Sequence, residues 1–232
     1  MNILKYAVVN GVKTNIRDVE KGTIGFDCWY RDYQVKACKG HYMQYWKYVD
    51  EKPALPEGYE NETEWHECWK KLVNDECCEV ICGDNNEHRA DILTDEEAIE
   101  IQYSSIAFEA AYERTVFYHN LKARRTIWIV NAYKSCRDRR IEVKKNNNNE
   151  IIVNWKYAKR WAVDISHCST SDVYLDLSPT SDKLLKIWKH DGVLYGKWIK
   201  KHDFFNKHLK EYSDEIDDFN KVFARLNSRD YH

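Results

Sequence analysis

The stretch HRADILTDEEAIEIQYSSI, residues 88–106, carries the pattern that decides the fold of this chain. Two short strands are predicted in it, because apolar and polar side chains alternate and the polar turn TDEE separates the two runs. Glu100 and Gln102 share one face of the second strand, and antiparallel pairing through the turn brings Asp91 across from the Glu100 region. Two carboxylates therefore project from adjacent strands into one place.

Such a carboxylate pair has two interpretations. Like charges this close are costly unless a cation lies between them or one carboxyl is protonated. A hard divalent ion with oxygen ligands offsets the repulsion between the two carboxylates. Mg²⁺ accepts one or two protein carboxylates and takes its other ligands from water and phosphate oxygens. Alternatively, both side chains lie on the solvated outer face of a half-exposed sheet. The spacing alone leaves both interpretations open.

A helix is predicted ahead of these strands, in the stretch NETEWHECWKKLV (61–73). It starts with a capping box at Asn61, and acidic residues crowd its first turn. Glu62, His66 and Lys70 recur every four residues and form one stripe, so a carboxylate, an imidazole and an ammonium group are expected in the same cavity as the strand carboxylates. The alternative is an exposed face held by salt bridges.

The predicted core has the order helix, three strands, helix, strand. After the first helix come strands at 78–82, 88–94 and 97–104, a helix within 104–123 and a buried strand at 126–132. Outside this core we predict strands at 3–9 and 12–16 around an Asn10-Gly11 turn, a linker at 50–60, a hairpin tip at 146–149, more β structure at 150–177, and helices in 181–224 broken near Asp191-Gly192.

The composition predicts one main domain with decorations. The chain has 232 residues, of which 43% are hydrophobic, enough for one sizeable core. No apolar run approaches the roughly 18 residues of a membrane span and the N-terminus lacks the features of a secretory signal, so a soluble, cytoplasmic protein without a membrane partner is expected. The eight cysteines are irregularly spaced, which favours reduced thiols or metal ligands over disulfides.

Charge is segregated along the chain, although the formal net charge is only -2. Residues 50–100 contain 17 acidic and 4 basic residues, whereas residues 134–160 contain nine basic and three acidic ones. Residues 183–210 add eight lysines against two aspartates. One part of the chain is built to attract cations and the other to attract anions, although either part taken alone is also typical of a solvated surface.

Five motifs in this order resemble the competence protein CoiA-like nucleases, a branch of the PD-(D/E)xK superfamily. They are ET-x-WH-x-x-WK, HRADI, AIEIQ-x-S-x-I, YER-x-x-FY and IWIVN, within about residues 5–132. The resemblance implies a mixed α/β (α+β) fold with a restriction-endonuclease-like αβββαβ core. It also implies that Asp91 and Glu100 bind the metal, that Gln102 stands where most of the superfamily has lysine, and that Lys70 supplies the missing ammonium group.

One region departs from the family pattern. These proteins commonly carry a zinc site before the helix, with a C-x-x-C pair and later histidines. Here Arg31 follows Cys28 where the second cysteine is expected, and QYWKYV replaces the histidines. Cys38 and His41 offer a partial replacement, but fewer than four plausible ligands are in view. Buried thiols and a surface histidine are the favoured interpretation, and zinc is not expected as a cofactor.

The basic segments provide the means to hold a polyanion. KSCRDRR (134–140) directly follows the last core strand, and residues 183–208 interleave lysines with aromatic residues. The cations are assigned to DNA, single- or double-stranded, whereas the aromatic residues Trp188, Tyr195, Trp198, Phe204 and Phe205 are interpreted as helix core rather than as base-stacking groups. The residues predicted to bind nucleic acid are Arg89, Ser104, Lys134, Arg137, Arg139, Arg140, Lys200 and Lys201.

Together these observations predict a nuclease that depends on Mg²⁺ or Mn²⁺ and hydrolyses DNA, with endonuclease cleavage favoured. Asp91 and Glu100 are the expected metal ligands, Gln102 orients water or phosphate, Lys70 stabilises the transition state, and His66 and Glu62 support them or transfer protons. Alternatives are a nuclease fold without turnover that binds DNA or a partner, and an RNA-cleaving enzyme. A homodimer is left open, as is a role in DNA uptake, defence or a mobile or viral genome. The expected domains are a β-hairpin and degenerate zinc-finger-like module (1–58), the nuclease core (59–134) and a basic extension (135–232).

Overall fold

A computed structural model describes residues 4–41, 43–54, 63–122, 124–213 and 222–223. It has a mixed α/β architecture with two sheets. The strands are β1 (Tyr6–Val9), β2 (Val12–Asn15), β3 (Ile24–Phe26), β4 (Gln34–Lys39), β5 (Gln44–Tyr48), β6 (Cys78–Cys82), β7 (His88–Leu93), β8 (Glu97–Gln102), β9 (Arg125–Asn131), β10 (Ile141–Lys145), β11 (Ile151–Trp155), β12 (Ser171–Asp176), β13 (Lys183–His190) and β14 (Val193–Lys200). The helices are α1 (Glu64–Lys70), α2 (Phe108–Lys122), α3 (Tyr133–Arg137), α4 (Arg160–Ile165) and α5 (Lys201–His208).

The chain forms two compact units. The first comprises residues 1–63 and 81–89, and the second residues 64–80 and 90–232. The first contains a five-stranded sheet of order β2-β1-β3-β4-β5, whose core includes Val35 and the fully buried Trp46. Its β1–β2 hairpin turns at Asn10 and Gly11, which both have positive φ, as the sequence predicts.

A nine-stranded sheet carries the residues of the predicted site. Its order is β10-β11-β14-β13-β12-β9-β8-β7-β6, with β9 parallel to both β8 and β12. α2 and α4 contribute Ala111 and Trp161 to the main core, together with Trp128 of β9. On the opposite face of the sheet, Phe204 of α5 packs edge-to-face against both Trp69 of α1 and Tyr174 of β12.

The predicted succession of helix, three strands, helix and strand is confirmed as α1, β6, β7, β8, α2 and β9. The hairpin around residues 146–149 is also present, since β10 and β11 pair antiparallel across it. The predicted capping box at Asn61 and most of the predicted linker lie outside the described residues.

The prediction of helices from residue 181 onward is wrong for most of that segment. Residues 183–200 form the β13–β14 hairpin, with Asp191 at φ 49° and Gly192 at φ 76° in the turn. Asp-Gly favours a two-residue hairpin turn because both central residues need positive φ. Helical structure begins only at α5, at Lys201. Within 150–177, β11 and β12 confirm the predicted β structure, but the short helix α4 lies between them.

No helix in the described part of the chain combines the length and apolar character needed to cross a membrane.

Candidate active site

Lys70 links α1 to two strands of the large sheet. It is the last residue of the helix, and its Nζ lies 2.5 Å from Glu79 Oε1 on β6 and 3.1 Å from Asp91 Oδ1 on β7. The side chains of Lys70 and Glu79 are almost fully buried, whereas that of Asp91 retains 20% exposure. Removing one partner from a buried ion pair is strongly destabilising, because it leaves the other charge uncompensated. The ammonium group is therefore held in place beside the more accessible carboxylate.

Asp91 is oriented by the backbone of the neighbouring strand. β7 and β8 pair through Ile92 with Ile99 and Leu93 with Ala98. Beyond that point, the amide of Ile101 donates a 2.8 Å hydrogen bond to Asp91 Oδ2. The carboxylate is thus oriented by a backbone N–H on one side and by Lys70 on the other.

Glu100 lies in a buried network with α2. Arg114 Nη1 donates to Glu100 Oε2 at 3.0 Å, and the hydroxyl of Tyr118 donates to Oε1 at 2.8 Å. Burial raises the pKa of Glu100 to about 7, Arg114 opposes that rise, and the nearby charge of Asp91 adds to it. The sequence pattern placed Glu100 beside Asp91, but the Arg114 and Tyr118 partners were not anticipated from the YER-x-x-FY motif.

Glu79 is a residue of this cluster that the sequence analysis missed. It is 5% exposed and has a left-handed backbone, with φ at 48°. Such a conformation is strained for a residue other than glycine and often marks a functional site. The signal in the sequence was a single acidic residue within the otherwise apolar run CEVIC, the same signal that drew attention to Asp91.

Of the other predicted catalytic residues, the structure describes Gln102 and His66. Gln102, at the end of β8, is 3% exposed, and its strand position pairs with Val130 of β9. His66 is likewise buried at 3% exposure, edge-to-face against Trp65. Glu62 lies outside the described residues. Glu100 is 2% exposed, which excludes a solvated outer face for that carboxyl, and the burial of His66 and Lys70 excludes an exposed face for the described part of the helix stripe.

The predicted nucleic-acid residues fall into several environments. Arg89, in the first unit, has its guanidinium 5.2 Å from the centre of the Trp29 ring. Arg140 pairs with Asp138 at 2.7 Å. Lys134 and Arg137 of α3 are exposed, as are Ser104, Arg139 and Lys200.

Lys201 corrects the prediction of a DNA-binding lysine at that position. It is 2% exposed, and its Nζ lies 3.0 Å from Oδ1 of Asp176, a fully buried carboxylate. Trp65 Nε1 and the Tyr133 hydroxyl donate to Oδ2 of the same aspartate. Burial raises the pKa of Asp176, while Lys201 and the hydrogen bonds oppose the rise. Lys201 thus neutralises an internal charge instead of facing solvent.

In the part of the chain that the structure describes, no cluster of three or more His, Cys, Asp or Glu side chains is arranged to hold a metal ion. Cys28 is buried and Cys38 partly buried, and all eight cysteines are present without a disulfide. A divalent ion at the Asp91–Glu100 pair would therefore have two carboxylate ligands at most and would take its other ligands from water or substrate.

An α1-β6-β7-β8-α2-β9 core with acidic side chains on adjacent strands defines a nuclease-like α+β domain. Residues 81–179 match the family described as competence protein CoiA, nuclease-like domain, so this region of the chain is similar to that family. The resemblance drawn from the sequence motifs is thereby confirmed. The match includes Asp91, Glu100 and Arg114, and extends beyond the motifs to β12. No curated protein and no solved structure matched the chain.

Proposed function

We propose that the chain is a metal-dependent nuclease that hydrolyses DNA phosphodiester bonds, with Asp91 and Glu100 as ligands of Mg²⁺ or Mn²⁺. The observation that carries this proposal is the contact of Lys70 with Asp91, because it places a fixed ammonium group beside the more accessible carboxylate. A PD-(D/E)xK enzyme needs both charges, and in this chain Gln102 stands in the strand position of the usual lysine. Lys70 of α1 replaces that lysine from another element.

The donor set fits a hard divalent cation in chemistry and in charge. Glu79, Asp91 and Glu100 carry three formal negative charges, against two positive charges on Lys70 and Arg114. Burial is the main cause of the raised pKa of Glu100, and the nearby charge of Asp91 adds to the rise while Arg114 opposes it. Asp91 and Glu100 would hold a divalent cation, which would add positive charge, activate water near neutral pH and offset charge on the phosphate.

The protein groups have separable tasks in this proposal. Asp91 and Glu100 hold the ion, while the Ile101 amide and Arg114 keep their carboxylates oriented. Lys70 stabilises negative charge that develops on the phosphate, and Glu79 fixes the position of Lys70. Gln102 orients the attacking water or the phosphate, with His66 as a supporting or proton-transfer group.

The assignment of DNA as the substrate is supported by the exposed cations of α3 and the residues after it. Lys134, Arg137 and Arg139 follow directly on β9, next to the strand that carries Glu100. Lysine and arginine contacts to phosphates give affinity that is independent of sequence and sensitive to salt. Endonuclease cleavage, an intracellular location and self-association belong to this proposal.

Plasmid and single-stranded DNA cleavage tests the proposal. Wild-type protein should cut in Mg²⁺ or Mn²⁺ and stop in EDTA, and Asp91→Ala and Glu100→Gln should reduce cutting by at least about 100-fold. Glu96→Gln changes an exposed carboxylate in the same hairpin turn and should cut like wild type. Equal cutting by all four proteins would overturn the site assignment, provided that circular dichroism shows each to be folded.

A second candidate is a nuclease-like domain that binds DNA or a partner without turnover. The Arg114–Glu100 pair favours it, because both oxygens of the expected metal ligand already accept protein hydrogen bonds. Calorimetric titration with Mn²⁺ distinguishes the nuclease from the domain without turnover. The nuclease should show an Mn²⁺-binding site that Asp91→Ala abolishes, whereas the inactive domain should show no such site. Matched RNA and DNA strands in the cleavage assay test the third alternative, an RNA-cleaving enzyme.

A further inference from the structure

The β13–β14 hairpin presents aromatic side chains that the core does not use. Trp188 and Tyr195 are directly opposite each other across the two strands, with ring planes 14° apart and centroids 6.0 Å apart. Trp188 is 38% exposed, whereas tryptophan side chains are highly buried on average. The sequence analysis interpreted Trp188, Tyr195, Trp198, Phe204 and Phe205 as helix core. That interpretation is wrong for the first three, because of these five residues only Phe204 and Phe205 are buried.

Two lysines lie beside the aromatic pair on the same face of the hairpin. Lys186 and Lys197 are opposite each other, two residues along from Trp188 and Tyr195 in the register. Like charges directly across a sheet destabilise it. Lys186 is compensated by Asp172 at 2.7 Å, whereas Lys197 is exposed and has no ion pair with any residue that the structure describes. The hairpin keeps a local excess of positive charge next to the exposed ring of Trp188.

The excess of positive charge extends along the whole β13–β14 hairpin. Residues 183–200 contain five lysines and one acidic residue, Asp191. An apolar protein partner would have to desolvate these ammonium groups, so the surface is better matched to a polyanion. The aromatic rings favour a single-stranded nucleic acid over a duplex. A base can stack on an exposed ring only when the face of the base is not covered by neighbouring base pairs.

We propose that the face bearing Trp188, Tyr195 and Lys197 binds single-stranded DNA, with a base stacked on the aromatic pair and a phosphate at Lys197. This surface is separate from the Asp91–Glu100 site, and binding to it requires neither a metal nor turnover. It selects unpaired DNA, a preference that the proposed cleavage chemistry by itself does not provide.

Fluorescence anisotropy with labelled oligothymidylate of about 16 nucleotides tests the proposal. The measurements use the full chain in EDTA, so that cleavage cannot contribute and the result is independent of the nuclease assignment. Trp188→Ala should weaken binding roughly 10-fold or more, and Trp188→Tyr should retain most of it. Trp198→Ala is the matched control, because Trp198 is equally exposed but lies opposite Leu185, on the other face of the hairpin.

The lysine contribution is measured as a salt dependence. Lys197→Gln should lower the slope of log affinity against log salt by about 1, whereas Lys207→Gln on α5 should leave it unchanged. Duplex DNA of the same length should respond little to Trp188→Ala. The proposal is overturned if Trp188→Ala binds like wild type while folded, if it weakens single strands and duplex equally, or if oligouridylate binds more tightly than oligothymidylate.

Discussion

Lys70 Nζ lies 3.1 Å from Asp91 Oδ1, which joins the end of α1 to a strand of the large sheet through one buried ammonium group. The two residues are 21 positions apart in the sequence, and no continuous run of charged residues connects them. In the proposed site, this contact supplies the positive charge that Gln102, an uncharged residue on the strand of Glu100, does not carry. The helix and the sheet must stay docked for the site to exist.

Glu79 is predicted to act on cleavage through Lys70. Glu79→Gln keeps the volume but removes the charge that holds the ammonium group at 2.5 Å, so kcat should fall roughly 10- to 100-fold with little change in KM. Steady-state DNA cleavage measures both. If Glu79 works through Lys70, adding Glu79→Gln to Lys70→Met should cost little further activity. Glu76→Gln, an exposed neighbour, should behave like wild type; additive losses in the double variant would contradict the positioning role.

Arg114 and Glu100 are predicted to be strongly coupled in stability. Arg114→Met leaves a fully buried carboxylate without its cation and should lower the free energy of unfolding by about 3–5 kcal/mol. Adding Glu100→Gln removes the stranded charge and should restore part of that loss. Urea unfolding of the single and double variants measures the coupling, with Arg160→Met as a control because its side chain is 93% exposed. A double variant as unstable as the sum of the singles would show that the two residues do not interact.

Asp172 is predicted to contribute to the free energy of unfolding in a pH-dependent way. Burial works to raise the pKa of this carboxyl, but hydrogen bonds from Arg125 and Lys186 prevail and hold the pKa below the ordinary value of 3.8. The ionised form is therefore favoured in the folded protein, and the stabilisation is present above the unfolded pKa and lost as the pH falls through the folded one.

Asp172→Asn should accordingly lower the free energy of unfolding by on the order of 1–3 kcal/mol at neutral pH. The difference from wild type should shrink in acid, as the wild-type carboxyl becomes protonated. Thermal or urea unfolding at several pH values measures it. Asp191→Asn is the control, since that side chain is 89% exposed. A difference that grows towards low pH would have the wrong sign for this explanation.

Gly196 is predicted to be required by close packing. A Cβ at this position would lie 2.8 Å from Val153 Cγ2 and 2.9 Å from Leu185 Cδ1, both in the core. Gly196→Ala should therefore destabilise the protein by about 1–3 kcal/mol through overpacking. Gly192→Asn is the comparison: that turn glycine has φ +76° and open space around it, a backbone that asparagine tolerates. Calorimetric unfolding should show the larger loss for Gly196→Ala.

Local patterns predicted most of the elements near the site. Alternation over residues 88–104 predicted β7 and β8, and the apolar spacing in 104–123 predicted α2, because the periods of two and 3.6 residues are properties of neighbouring side chains. The β13–β14 hairpin was missed although Asp191-Gly192 is itself a turn signal. Aromatic and lysine residues there fit a helix as well as a strand, and pairing with β12 and β11 decided the outcome.

The sequence by itself determined that acidic side chains would lie within apolar strands, that Asp91 and Glu100 would be on adjoining strands, and that a helix with His66 and Lys70 would precede them. Only the tertiary structure decided which cation meets which carboxylate: Lys70 with Glu79 and Asp91, Arg114 with Glu100, and Lys201 with Asp176. The reason is that buried charges must find partners, and those partners are brought together by helix and sheet packing between positions as far apart as 111 residues, the separation of Trp65 and Asp176.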